Sequence, residues 1–503
     1  MLSLEMSLFR GRVWNYALCA WLLLCAGAIS IGGYNYASLA ARADFNSYCD
    51  WGEIALNLAL IVPVLAALAF AGRRVMRQLG LESGLALDFF CGVILFNILL
   101  LPFFFSGLAY RGIVLLLLAL FLLLGDSGVA CPRLPRSRVL AAVAAIALAW
   151  AAYHCVLSAL APVSYGESLG DVSGGYMPTY IFFSEHHGVA VEPALVTYLF
   201  ALHQYSVVAS ALITLSNPGM VKIFGLMLLF CMTLGIYEFL VRRTLPRWLA
   251  FSAAVAFLAT PALASNAFFS LAHDRLYLMF LECFVFISII EGLLLREPNR
   301  QCLALAAIGL MSSVSMAGIV PAAASVGGIV LFSKLWREFP RRYLAAFAVC
   351  VAAAGAFPAW NFYHTGCIYP GNPFFVKLFH ASGNSYVIND FIGERLLMFF
   401  NMQYSPGFWG YAAFPFSFAF EHAGFLGGLL FVGFAFIRRP AVAAMYFMLF
   451  FILYSLLLFF PNMVSGGVLS RFAWITLPAL FLSSFYFLSQ WLALLPRSGG
   501  GES

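Results

Sequence analysis

Charge is scarce in this chain: only 10% of its 503 residues are Asp, Glu, Lys or Arg. No stretch has the composition of a separate soluble domain. Hydrophobic residues make up 63% of the sequence and the mean hydropathy is +0.94. That balance excludes a soluble globular protein, whose surface would then be mostly apolar. The 11 cysteines include no CxxC pair and no metal-type spacing. They read as small core hydrophobes, with Cys49 and Cys367 as the two expected in outer loops. There is no D-x-D pair, so nothing calls for a metal, although a divalent ion is not excluded, and no cofactor is expected. The net charge of +6 is small and gives no reason to expect a nucleic-acid partner.

What is abundant is long apolar sequence. Runs of about 20 residues, each able to cross a hydrocarbon core about 30 Å thick, recur from end to end. Spans are expected near 13–33, 52–72, 84–105, 109–124, 137–160, 220–241, 248–265, 275–294, 301–315, 317–334, 342–360, 424–437, 441–460 and 472–494. The sequence therefore predicts an all-α polytopic membrane protein of about 14 spans, 11 at the fewest, with the pair 301–334 the least regular. The first apolar run has aromatic flanks and the length of an uncleaved span rather than a signal peptide.

Positive charge tests this alternation. With the N-terminus in the cytoplasm, the inner side receives clusters such as "GRRVMR", "PRLPRSR", "VRRTLPR", "REPNR" and "KLWREFPRR". Twenty of the 27 Lys and Arg then lie inside. The run 194–215 is apolar enough to span, yet a crossing there would move "VRRTLPR" outside. It is read instead as an interfacial helix with His203, Gln204 and Tyr205 facing lipid headgroups. The chain then divides into N-terminal spans (1–160), a first long outer loop (161–219), central spans (220–360), a second long outer loop (361–423) and C-terminal spans (424–496). Both termini fall in the cytoplasm.

Polar residues gather on the outer side. "GESLGDVSGGYMPTYIFFSEHHG", from Gly166, holds Glu167, Asp171, Glu185, His186 and His187. Asp274 and Arg275 open the span 275–294, and Glu282 lies about two turns deeper on the Arg275 face, where a pair or a water-lined cavity is expected. "WNFYHTGCIYPGNPFF" and the Arg471 stretch "GGVLSRFAWITLP" are outer segments too. The two histidines read as interfacial loop residues, and Glu167 and Glu185 as solvated.

Four of these stretches, in order, resemble motifs of bacterial GT-C glycosyltransferases of the dolichyl-phosphate-mannose-protein mannosyltransferase-like (family 39-like) superfamily. "DVSGGYMPTYIFFSEHHGV" is similar to the first outer-loop motif, with Asp171 at its aspartate and Gly175-Tyr176 where the family has Tyr-His. "TPALASNAFFSLAHDRLYLMF" places Asp274 at the second acid. "PAWNFYHTGCIYPGNPFF" keeps Asn361, Thr365, Gly366, Tyr369 and Pro370, with Trp360 at a usual arginine. "SRFAWITLPALFL" keeps Arg471. A lysine expected near Ser315 is absent.

The resemblance implies a GT-C-like helical bundle with juxtamembrane helices on its outer face, in the inner membrane of a bacterium. It implies sugar transfer from a polyprenyl-phosphate donor to a glycan, lipid or protein acceptor on the non-cytoplasmic side. Asp171 is then the candidate base and Asp274 a second catalytic acid. Arg275, Arg471, Arg395, Lys377, His364 and Tyr176 are the candidate substrate-binding residues. Three other readings stay open at this point: a transporter or flippase of a lipid-linked glycan, a glycan polymerase or ligase on the same fold, and a non-catalytic relative.

Overall fold

A computed structural model describes residues 51–128, 176–189, 204–243, 245–258, 271, 274–314, 316–365, 478–479, 481–483 and 485–486. Within these the chain is helical, with no strand. The helices are α1 (Trp51–Gln78), α2 (Leu85–Phe105), α3 (Arg111–Leu124), α4 (Met177–Glu185), α5 (Gln204–Leu215) and α6 (Gly219–Arg242). There follow α7 (Arg247–Leu258), α8 (Asp274–Leu295), α9 (Pro298–Val314), α10 (Met316–Phe332), the single turn α11 (Leu335–Glu338) and α12 (Pro340–Thr365). Five of them, α1, α2, α6, α8 and α12, are long and apolar enough to cross a membrane. The protein is a helical membrane protein.

α8 is the hub. It packs on α2, α6, α9 and α10, and its apolar residues are buried almost without exception. One face stacks Phe280 and Phe284 on Phe90 of α2, at 4.3 and 5.6 Å between ring centroids. Peripheral helices show the opposite pattern. Leu116, Leu123 and Leu124 of α3 and Leu344 and Val351 of α12 are exposed, as a lipid-facing surface requires. Small residues set the tightest approach, between α1 and α2. A Cβ on Gly72 would collide with the Asp88 carbonyl oxygen, and one on Gly92 with that of Leu68. Only glycine lets these two backbones touch.

The basic clusters meet at one end of the bundle, called here the basic end. Arg300 binds the Glu82 carbonyl, Asn299 binds that of Leu79 (2.8 Å) and Arg342 reaches Asn299 (3.1 Å). Glu291 at the close of α8 receives Arg242 at 2.9 Å, Arg243 at 3.2 Å and Arg300 at 2.5 Å. Arg77 pairs with Asp126 just past α3 at 2.9 Å. The Gly128 N–H and this arginine lower the Asp126 pKa from its ordinary 3.8, which keeps the pair charged. Residues after α1, α3, α6, α8 and α10 and before α2, α9 and α12 thus share one end, the arrangement that alternating spans demand.

The irregular pair 301–334 resolves into two antiparallel helices. Ser333, past the end of α10, donates to Gln301 near the start of α9 (2.8 Å), and the Tyr343 hydroxyl of α12 joins the same amide oxygen. At 17 residues each they rise about 25 Å, a little less than a hydrocarbon core.

Candidate functional site

The end opposite the basic clusters carries those of the predicted polar residues that are described. Asp171, Lys377, Arg395 and Arg471 lie outside the described residues, as do Glu167, His203 and the proposed outer cysteines. Tyr176, Asp274, Arg275 and His364 are described.

α4 begins where the "GGYMP" sequence supplies Pro178 for the first turn, a position where the missing N–H is harmless. Its other end explains "EHHG". His187 adopts a left-handed backbone (φ 55°), and its carbonyl accepts the Ala109 N–H at 2.8 Å. The ring of His187 lies 4.1 Å from Tyr110, and the Val189 N–H reaches the Phe104 carbonyl. His186 turns back onto Phe182, through a ring contact and a 2.9 Å bond to its carbonyl. These residues therefore dock α4 on the α2–α3 turn, a structural job. Glu185 is exposed, as read from the sequence.

From Tyr176 a ladder of tyrosines runs into the bundle. Tyr176 meets Tyr180 at 6.4 Å, Tyr180 meets Tyr205 edge-on at 5.7 Å, and Tyr205 stacks on Tyr277 at 5.0 Å. Tyr277 sits three residues after Asp274, on the same face of α8. The ladder thus joins the Tyr176 segment to the start of α8, two of the stretches read as family motifs. Beneath it, Gln204 donates to Asn97 (2.6 Å) and Asn97 donates to the Tyr277 hydroxyl (2.7 Å).

This corrects the reading of 194–215 where it is described. α5 does not present Gln204 and Tyr205 to headgroups: they are 0% and 1% exposed, packed among α2, α4 and α8. The physical reason is the polar triad. Asn97 and Tyr277, isolated in apolar helices, need partners away from water: Gln204 satisfies Asn97, and Asn97 in turn satisfies the Tyr277 hydroxyl. A lone asparagine in the apolar run "FNILL" was the available signal.

Asp274 is 4% exposed and Arg275 half-buried at the N-terminus of α8, where the helix dipole favours a carboxylate. Lys222, at the start of neighbouring α6, is 1% exposed. Here the backbones nearly touch, since a Cβ on Gly225 would strike the Leu271 carbonyl. One acid and one base are thus buried at adjacent helix starts. The expected Arg275–Glu282 pair does not form. Glu282 is fully buried and neither carboxylate oxygen meets a hydrogen-bond donor among the described residues. Seven residues of rise separate the two backbones by about 10 Å along the helix, and neither carboxylate oxygen of Glu282 meets the Arg275 guanidinium. His364 stands exposed at the end of α12, and its described contacts are the rings of Trp360 (4.4 Å) and Tyr363 (5.0 Å). The described contacts do not bring it to Asp274.

Among the described residues no group of three His, Cys, Asp or Glu side chains converges to hold a metal. No family model, no curated protein and no solved structure matches the chain.

Proposed function

We propose that the protein is a membrane glycosyltransferase of about 14 spans with a GT-C-like arrangement. It moves a sugar from a polyprenyl-phosphate donor to a glycan, lipid or protein acceptor at the end of the bundle opposite the basic clusters. The observation that carries this reading is the tyrosine ladder, which brings the segment after Asp171 and the segment of Asp274 to one end from positions 98 residues apart, Tyr176 to Asp274.

The chemistry needs few parts. The acceptor hydroxyl gives its proton to Asp171 as its oxygen attacks the anomeric carbon. The bond from that carbon to the phosphate oxygen breaks, and polyprenyl phosphate departs with the electron pair. Cations stabilise the leaving phosphate, and Arg275, Arg471, Arg395 and Lys377 are assigned that role. Tyr176 lines the acceptor side. The prenyl tail remains in the bilayer, so the donor phosphate arrives at headgroup depth, and the proposed active face is the non-cytoplasmic side of a bacterial inner membrane.

A second reading, a transporter of a lipid-linked glycan, rests on Glu282. This buried carboxylate lies about 12 Å along α8 from the helix start, nearer the depth where transporters bind substrates and coupling ions. One assay separates the two. Purified protein in liposomes receives a polyprenyl-phosphate donor with a labelled sugar and an envelope-glycan acceptor extract. The glycosyltransferase reading expects label on the acceptor. Asp171→Asn and Asp274→Asn, with unfolding temperatures near that of the parent, are expected to lower transfer at least about 10²-fold. Full turnover by Asp171→Asn removes the assigned base. Movement of the intact donor across the bilayer without transfer supports the transporter.

A further inference from the structure

A second site lies at the basic end, away from the tyrosine ladder. α9, α10, α11 and α12 enclose a groove of about 260 Å³ whose walls include Leu305, Val326, Val330, Trp336, Tyr343 and Phe347. The walls present no polar surface, because the Tyr343 hydroxyl is turned away to Gln301. The groove runs from the α10–α12 connection along the first two turns of α12, from Pro340 to Phe347, about 10 Å into the apolar zone. Its rim is open toward lipid, with Val330 52% and Leu344 70% exposed.

The segment at its mouth is cationic. Lys334, Arg337, Arg341 and Arg342 flank the lining residues Trp336, Pro340 and Tyr343 in "KLWREFPRR", and all four are exposed. The one acid there, Glu338, is already paired with Arg296 at 3.3 Å. Trp336 is fixed by its indole N–H on the Val330 carbonyl (3.2 Å), with the Arg337 guanidinium 4.9 Å above its ring. An indole held between an apolar wall and a cation marks the headgroup boundary.

We infer that this groove binds a glycerophospholipid with an anionic headgroup, one acyl chain along α12 and the phosphate among Lys334, Arg337 and Arg341. The walls select a hydrocarbon chain and the mouth selects a negative charge. Neither feature alone distinguishes one lipid from bulk bilayer; their adjacency does. The inference is independent of sugar transfer.

The test uses the full chain purified in detergent with equal phosphatidylglycerol and phosphatidylcholine, and native mass spectrometry to count retained lipid. Phosphatidylglycerol is expected to be retained preferentially. Each neutralised cation is expected to lower that preference about fivefold, so Lys334→Gln with Arg341→Gln lowers it about 30-fold. Val326→Phe with Val330→Trp fills the groove, keeps every charge and is expected to abolish retention. Val330→Trp alone, at a half-exposed position, is expected to weaken it without unfolding. Equal retention of the two lipids overturns the inference. So does phosphatidylglycerol retention unchanged by the groove-filling variants, which would leave only surface charge, and so does competition by glycerol 3-phosphate as strong as by the intact lipid.

Discussion

At the scale of single residues, stability turns on buried polar side chains that find partners, against which stands Glu282, whose carboxylate meets no donor among the described residues. Asn97, Gln204 and Tyr277 form a chain in which each member relies on the others. Asn97→Ala strands a buried amide and a hydroxyl together and is expected to cost about 1–3 kcal/mol, read as a lowered unfolding temperature in detergent. Tyr277→Phe removes a hydroxyl and leaves Asn97 its Gln204 bond, so its effect should be smaller. Sequence alone flagged Asp274 and Arg275, because charge at the start of an apolar run is conspicuous, and the motif resemblance added Tyr176. It could not reveal the triad, since the partners lie 107 and 180 residues from Asn97 and each looks unremarkable by itself. Glu282 was legible as unusual, yet its supposed partner was misassigned. Counting turns puts two residues on one face of a helix, which a pair requires but which does not by itself make one.

Elements tell a similar story one level up. Apolar run length located α1, α2, α6, α8 and α12 to within about six residues at each end, because a long hydrophobic run has few alternatives. It misplaced α5, since an interfacial helix and a short buried helix share a composition and differ only in what covers them. Glycine pairs carry information that hydropathy does not. Gly92→Ala drives a methyl group into the Leu68 carbonyl and should destabilise by about 1–3 kcal/mol. Gly112→Ala in α3 meets open space and should be neutral or stabilising, by up to about 1 kcal/mol. Thermal unfolding of the two variants side by side checks the α1–α2 contact. Equal effects would mean that this crossing does not limit stability.

The whole molecule is organised by charge. Glu291 gathers three arginines from α6, the turn after it and α9, so α6, α8 and α9 are tied at the basic end by one carboxylate. Glu291→Gln leaves the buried Arg300 and the half-buried Arg242 and Arg243 without their shared counter-charge and is expected to cost about 3–5 kcal/mol. The exposed Arg296–Glu338 pair should matter little: Glu338→Gln is expected to change stability by about 0–1 kcal/mol. Chemical denaturation of both variants in the same detergent checks the contrast. The positive-inside pattern foretold which segments share this end, because it is written in local composition. The convergence of Tyr176 and Asp274 depends on packing among helices distant in sequence, for which composition holds no instruction.

Sidedness is the most direct measure of the central claim, that separate segments build one site on the non-cytoplasmic face. In a cysteine-free background, Asp171→Cys, Glu185→Cys, His364→Cys and Arg471→Cys are introduced singly, with Arg337→Cys as the opposite marker. Each is exposed to a membrane-impermeant maleimide on intact, outward-facing spheroplasts. The account predicts labelling of the first four without permeabilisation and of position 337 only after it. Labelling of positions 171 and 471 from opposite sides would contradict it.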